Sequence, residues 1–239
     1  MLKLLSICAI FLITLIQPLR AQEPTHDLIG DIGGAMYATS SFVQGAESKS
    51  TFLPYANFEY KSLFARIDTF GYQILPLGSG HLELVTRVNL EGYKSTNSSK
   101  NHPVPIGLGT MQLTPYGALF LNTFIDVASS KGSMTDIMWA VELNGPRGIA
   151  LYPEVGLIYK NSRYQNYFYG VSQGDITNYQ ANAGISPYWG VLLEVPIIDS
   201  WYTNTFFRRS NLSSGITHSP LVEKNYQNFV FLSISYRYQ

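Results

Sequence analysis

The residues of this chain best suited to general-base chemistry are four scattered histidines: His26, His81, His102 and His218. In the segment GITHSPL, His218 lies beside Ser219 and close to Ser214, so a nucleophile–base pair with a loop acid is one hypothesis. Adjacent residues on an extended chain point to opposite sides, and these histidines lack metal-ligand spacing. We therefore predict no catalytic site, no metal site and no cofactor, and expect a protein that is not an enzyme.

Charged side chains within segments of alternating polarity form a second set of candidates. In HLELVTRVNLEGY (81–93), apolar residues alternate with polar ones, and TDIMWAVELN (135–144) and IALYPEVGLIY (149–159) follow the same pattern. The charged residues assigned to one shared face are Glu59, Arg66, Asp68, Glu83, Arg87, Glu91, Glu142, Glu154, Glu194 and Arg237. This face could either pair its charges or line a path for solutes.

The element that positions these charges is a β-strand, because alternation with a period of two over 8–13 residues is typical of strands. A soluble β-sandwich alternates in the same way. Long strands, charges confined to one face and aromatic residues at strand ends favour a transmembrane barrel. We predict an all-β fold, a closed antiparallel up-and-down barrel whose charged face lines the lumen.

The composition agrees with a surface that does not face water on all sides. Charged residues make up 13% of the 239 residues, and aromatic residues make up 14%, with 17 tyrosines. Soluble domains carry about 25% charged residues on average. The formal net charge is zero, so nothing favours a nucleic-acid partner.

The first residues predict export from the cytoplasm. Lys3 precedes an apolar run of 13 residues, Leu4 to Ile16, and Ala21 offers a cleavage site, as in a secretory signal peptide. We assign 1–21 to the signal peptide and 22–239 to one outer-membrane barrel domain. Because Cys8 is the only cysteine, the mature chain is expected to have no disulfide or thiolate site.

The last segment, NYQNFVFLSISYRYQ (225–239), has the pattern of a membrane strand. Its apolar face ends in Tyr236 and Tyr238, which we expect in the periplasmic aromatic girdle, with Arg237 facing the lumen. The barrel assembly machinery commonly engages such a strand. Gln239 departs from the usual aromatic last residue.

The strand number follows from counting turns, since both termini are expected on the periplasmic side with short connections there. Inner turns are predicted at EYKS, PLGSG, within Leu119–Asp126, at NGPRG and at PIIDSW. The outer connections are predicted at 43–51, near Asp68–Phe70, and at 94–108, SSKGSM, 162–181 and 210–225. This count gives twelve strands, or ten if one of the two weakest pairs is fused.

Several stretches resemble the MipA/OmpV family of MltA-interacting outer-membrane proteins. They are LPYANFEYKSLFARIDTFGYQI (53–74), YFYGVS (167–172), DSWY (199–202) and the ending HSPLVEKNYQ…LSISYRY (218–238). The resemblance implies a scaffold that links a lytic transglycosylase to a bifunctional penicillin-binding protein in peptidoglycan remodelling. Other relatives resemble porin-like or adhesive proteins, and the family carries no agreed catalytic residues.

Three functions therefore remain open for an outer-membrane barrel surrounded by lipid. A periplasmic partner could reach only the inner turns with Lys61, Arg147 and Asp199, the lower mouth of the lumen, and the tail near Glu23–Asp27. A narrow porin-like channel for small solutes is the second possibility, and surface adhesion through the tyrosine-rich stretch 162–181 is the third.

Overall fold

The computed structural model describes residues 28–95, 98–171 and 178–239. The predicted signal peptide and the tail near Glu23–Asp27 lie outside these ranges. Within them, no helix is long and apolar enough to cross a membrane. The strands, in chain order, are β1 (Ile29–Thr39), β2 (Lys49–Tyr60), β3 (Leu63–Arg66), β4 (Thr69–Leu77), β5 (Gly80–Arg87), β6 (Tyr93–Lys94), β7 (Ser99–Lys100), β8 (Pro105–Thr114), β9 (Gly117–Asp126), β10 (Ser133–Ala140), β11 (Leu143–Asn144), β12 (Ala150–Lys160), β13 (Gly184–Ile198), β14 (Trp201–Asn211) and β15 (Tyr226–Tyr238).

Twelve of these strands form one closed antiparallel barrel. The order is β1-β2-β3-β4-β5-β8-β9-β10-β12-β13-β14-β15, and β15 pairs with β1 from Gly30↔Tyr238 to Thr39↔Phe229. The short strands β6 and β7 pair with each other outside the barrel, and β11 pairs with the beginning of β12. The predicted closed barrel is confirmed, with twelve strands rather than ten.

One predicted turn was wrong. Leu119–Asp126 lies within β9, and the chain reverses instead at Pro115 and Tyr116, between β8 and β9. The next residue, Gly117, has a φ of +131°, and a Cβ there would meet the Ala140 carbonyl oxygen at 2.3 Å. A glycine is required at this position, so PYG was the turn signal.

The two ends of the barrel differ in the length of their connections. One end, called the turn end, carries tight turns such as Lys61–Ser62, Gly78–Ser79 and Asp199–Ser200, together with a 3₁₀ turn at Pro146–Gly148. The other end, called the loop end, carries the longer segments after β1, β5, β12 and β14. In outer-membrane barrels the short turns face the periplasm.

Alternate residues separate an apolar outer face from the lumen. On β5, Leu84 is exposed outward, whereas its neighbours Glu83 and Val85 are buried inside the barrel. At the turn end of β15, Tyr236 and Tyr238 are also exposed outward, and the ring of Trp201 packs edge-on against Tyr236 at 5.5 Å. This belt has the composition of an interfacial aromatic girdle.

A packed cap covers part of the loop end. It contains the helix α1 (Ser162–Tyr169), whose first turn is capped by the Asn161 side chain accepting the Tyr164 N–H, and the short helix α2 (Ser214–Thr217). The buried members of the cap are Phe42, Val43, Tyr93, Tyr164, Phe168, Tyr169, Ala181 and Ile216. The loop end therefore has a hydrophobic core of its own.

The wall is uneven, because β3 has only four residues. The turn between β3 and β4, at Ile67 and Asp68, lies at mid-height in the barrel, since both residues border cavities in the lumen. Ile67 adopts a φ of +61°, and its N–H donates to the Ala56 carbonyl at 2.9 Å. The tip of this hairpin narrows the lumen.

Candidate functional site in the lumen

The turn-end layer of the lumen is organised around Arg237 from β15. Its guanidinium donates to Asp31 through Nε and Nη2, both at 2.7 Å, and to Glu194 at 3.0 and 2.6 Å. The same group stacks 3.8 Å above the Tyr202 ring. One cation thus ties β1, β13 and β15 together through bidentate bonds, the strongest form of this pair.

A second layer joins β3 to β5. Arg66 binds both oxygens of Glu83 at 2.8 Å and lies 3.9 Å from the Phe64 ring. Glu59 is 3.5 Å from the same guanidinium, and its side chain is half exposed. The short strand β3 is therefore held to β5, on the far side of β4, by a bidentate ion pair on the lumen face.

The middle of the lumen contains two more arginine pairs. Arg87 donates to Asp136 at 2.7 Å, and its Nε lies 3.7 Å from Asp68. Arg208 donates to Glu154 at 2.7 Å. Since Tyr188 donates its hydroxyl to Asp136 at 2.9 Å and its ring lies 4.6 Å from the Arg208 guanidinium, the two pairs form one network.

The loop-end layer links the barrel to its cap. Glu91 accepts from Lys160 Nζ at 2.6 Å, from the Tyr164 hydroxyl at 2.7 Å and from the Tyr169 hydroxyl. Burial alone raises the pKa of Glu91, but Lys160 and the three hydrogen bonds outweigh it and lower that pKa below its usual value. Burial, with the charge of Glu91, raises the pKa of Tyr164 and Tyr169 well above the ordinary range.

Most of the predicted charges are therefore brought together in pairs, with one exception. Glu142 lies just after β10, is exposed at the turn end, and has no ion-pair partner in the part of the chain that the structure describes. The predictions omitted four partners: Asp31, Asp136, Lys160 and Arg208. The alternation around Ile137 and Tyr159 could have placed Asp136 and Lys160 on the inner face.

The lumen contains a cavity of about 390 Å³ towards the turn end and another of about 460 Å³ towards the loop end. Five residues border both cavities and so lie between them: Ile67, Asp68, Arg87, Arg208 and Phe229. The β3–β4 tip and the central arginine network therefore divide the lumen. Such an interior suits structural pairing better than a wide aqueous pore.

The histidine and serine candidates have other contacts. The Ser219 hydroxyl donates to the Tyr169 carbonyl at 2.6 Å, and the His102 Nδ1 accepts the Gly92 N–H at 3.1 Å. His218 is the C-cap residue of α2. Among residues 28–95, 98–171 and 178–239, no cluster of three or more His, Cys, Asp or Glu side chains could hold a metal ion.

An antiparallel twelve-stranded barrel with an apolar outer face and a charged interior belongs to the class of outer-membrane barrels. A protein-family model described as MltA-interacting protein MipA matches residues 32–238. The chain belongs to this family, which confirms the resemblance predicted from the sequence.

Two of the three curated relatives described next are named outer membrane proteins. The chain is similar to the MltA-interacting protein of Escherichia coli K12, with 27% identity over 139 residues, 55% of each chain. It is also similar to the outer membrane protein OmpV of Vibrio cholerae, 33% identical over 96 residues (38% of this chain and 37% of the relative). The outer membrane protein Omp26La of Vibrio anguillarum is 32% identical over 94 residues (38% and 37%). The chain spans about half the length of the first relative in this match, and the protein is an outer-membrane protein.

Proposed function

We propose that this protein is a scaffold in peptidoglycan remodelling, which holds a lytic transglycosylase and a bifunctional penicillin-binding protein at the periplasmic face of the outer membrane. Membership of the MipA family carries this proposal, together with the similarity to a relative named for its interaction with MltA. The paired charges of the lumen favour a structural role over bulk transport.

The turn end supplies the surface that such partners would reach. Lys61, Arg147 and Asp199 are exposed there, and each has a positive φ, of 54°, 58° and 47°. Because a tight turn fixes each backbone, these charges are presented in defined positions without ordering a long loop on binding. Charges at a contact rim mainly tune association and its salt dependence.

The test is capture of a purified lytic transglycosylase by the folded barrel in vesicles. Arg147→Glu is expected to weaken capture and to change its salt dependence. Lys131→Glu is the matched control, because Lys131 is also an exposed cation at a turn tip with a φ of 55°, but at the loop end. Deleting Gln22–His26 tests the predicted tail contact. If the intact protein captures neither murein enzyme, the scaffold proposal fails.

The two cavities favour a narrow channel as a second candidate function. Solutes would pass between the turn-end and loop-end cavities only through the layer of Asp68, Arg87 and Arg208. We expect small or absent single-channel currents in planar bilayers. Large, steady openings proportional to salt would instead favour a porin. Adhesion has less support from the loop end, because Tyr164 and Tyr169 are buried against Glu91.

A further inference from the structure

The barrel wall has a gap in its backbone pairing on the loop-end half of β2. The strand β2 pairs with β1 from Lys49 to Glu59, but with β3 only from Asn57 to Tyr60. One further hydrogen bond, from Ile67 N–H to the Ala56 carbonyl, extends this contact by a single residue. The segment 50–55 has no strand partner on that side among the residues the structure describes.

Pro54 occupies this unpaired edge. The Ala56 carbonyl points toward β3, and backbone groups two residues apart in a strand point the same way, so position 54 also faces the gap. Proline has no N–H to leave unpaired at that point, which is why it is tolerated on open edges. The residue at position 54 of β2 is therefore one that suits an unpaired edge.

The loop-end cavity reaches this gap. Its lining includes Arg87, Glu91 and Arg208, which face the lumen, but also Pro54 of β2 and Phe70 of β4, which are in the outward phase of their strands, and Val88 and Leu90 just after β5. Pro54 and Val88 are also exposed on the outer surface. The cavity of about 460 Å³ thus continues from the lumen to the lipid-facing side, and its volume lies within the range of small-ligand sites.

The polarity of the side chains that line the loop-end cavity changes with depth. Apolar side chains surround the opening, whereas the deeper Arg87, Arg208 and Lys160 are already paired with carboxylates. Lys49, at the loop-end start of β2, donates to the Gly92 carbonyl and has no carboxylate partner in the described part of the chain. An apolar chain with an anionic head group fits this arrangement.

We propose that this gap is a lateral entrance, through which the acyl chain of an anionic amphiphile passes from the surrounding membrane into the loop-end cavity, with its head group near Lys49. The inference is independent of the partner binding proposed at the turn end. No chemical step is involved, because the site binds and releases the chain unchanged.

Contact quenching by brominated acyl chains tests the proposal in the intact folded barrel. The three tryptophans, Trp139, Trp189 and Trp201, all face outward and are first replaced by phenylalanine. Tyr37→Trp then reports from the loop-end cavity, and Tyr152→Trp reports from the turn-end cavity, since each tyrosine borders only that cavity. One arm uses vesicles of brominated phosphatidylglycerol, and the other adds brominated stearic acid to ordinary vesicles.

We expect strong quenching of the Tyr37→Trp reporter and little quenching of the Tyr152→Trp reporter. Quenching in both arms identifies membrane phospholipid as a source, and quenching only by stearic acid identifies free fatty acid. Equal quenching of the two reporters, or none in either arm, would overturn the proposal.

A blocking variant sharpens this test. Val88→Phe should remove the quenching, whereas Leu157→Phe should not, because Leu157 is equally exposed (47% against 46%) but lies in a fully paired wall. Pro54→Tyr is the second blocking variant if Val88→Phe does not fold, as judged by heat-modifiable migration on gels. Lys49→Gln should weaken quenching by stearic acid. Unchanged quenching in both folded blocking variants would contradict the proposed lateral entrance.

Discussion

Two parts of the same wall behave differently. From β12 through β15 to β1 the strands have 11 to 15 residues and pair along nearly their whole length. From β2 to β5 the wall contains β3, with four residues, and an unpaired edge. Both parts show the same alternation of apolar and polar residues. Alternation therefore decides which face a residue occupies, and strand length decides whether the wall is closed.

The ion pairs inside the lumen also differ between these two parts of the wall. In the long wall, Arg237 connects two carboxylates on two other strands. In the short wall, Arg66 and Arg87 hold the hairpin tip in place from within the lumen. Ion pairs thus support both parts, and in the short wall they hold the hairpin tip where backbone pairing stops. The following predictions test this contrast, beginning with the largest effect.

Arg237→Leu should cost about 3–5 kcal/mol of unfolding free energy, because it leaves Asp31 and Glu194 buried without their cation. Urea unfolding in lipid vesicles measures the loss. Adding Asp31→Asn and Glu194→Gln should recover part of it. Arg209→Leu is the control, since Arg209 stacks on Tyr226 and has no carboxylate partner among the described residues. Similar losses for both arginines would contradict the role of the cluster.

Leu157→Arg should cost about 2–4 kcal/mol, the usual penalty for a charge facing lipid near the midplane. Val88→Arg should cost less, because its guanidinium can reach the polar cavity through the gap. The Arg87–Asp136 hydrogen bond shows that Val88 and Leu157 lie at similar depth. Val88 is the residue after Arg87, and Leu157 pairs with the residue after Asp136. Yields of heat-modifiable folded protein compare them, and equal losses would argue for a closed wall.

Tyr169→Phe should weaken the loop-end cap by about 1.5–3 kcal/mol, the worth of a hydrogen bond to a charged group. Limited proteolysis of the cap in intact vesicles reports the change. Tyr179→Phe is the control, because its hydroxyl donates to a neutral carbonyl, that of Gly215. A larger effect at Tyr179 would contradict the anchoring role of Glu91.

Acid should loosen the same cap. The pKa of Glu91 is lowered in the folded protein, so its stabilising contribution is present above the unfolded value, about 4.5, and is lost as the pH falls through the lowered pKa. Proteolysis of the cap by an acid-active protease should rise over that range. Glu91→Gln should be more susceptible at neutral pH and show a weaker pH dependence. A pH profile unchanged by that variant would assign the transition to other groups.

The smallest expected effect is in amide exchange. The N–H of Phe52 has the same orientation as position 54 and faces the gap, whereas the N–H of Leu53 faces β1. In membrane discs Phe52 should therefore exchange faster than Leu53. Equal protection would mean that a strand partner covers the edge.

Local patterns predicted the faces of the strands but not the partners across the lumen. The alternation in 81–93 placed Glu83 and Arg87 inside because it depends only on neighbouring residues. The Arg208–Glu154 pair depends on the registers of β12 and β14 against β13, and the Lys160–Glu91 pair joins β12 to the segment after β5. No local pattern contains that information.

The alternation of apolar and polar residues could not predict the loop-end cap or the gap beside β2 either. The stretch 162–181 was predicted as an outer loop, but Tyr164 and Tyr169 become anchors only because Glu91, 73 and 78 residues earlier, lies beneath them. The wrong turn within Leu119–Asp126 has a local cause, since PYG (115–117) contained the stronger signal.

The pairing of β1 with β15 also constrains how the protein is made. Gly30 pairs with Tyr238, so this ladder joins the first and last strands across almost the entire described sequence. Contacts of such high sequence separation form slowly, because the entropy of closing the whole chain is lost before the ladder gains any bond. The barrel therefore cannot close before β15 is present, and until then the edges of β1 and β14 expose unpaired peptide groups. The geometry therefore requires an intermediate in which β1 stays unpaired on one side until β15 is available.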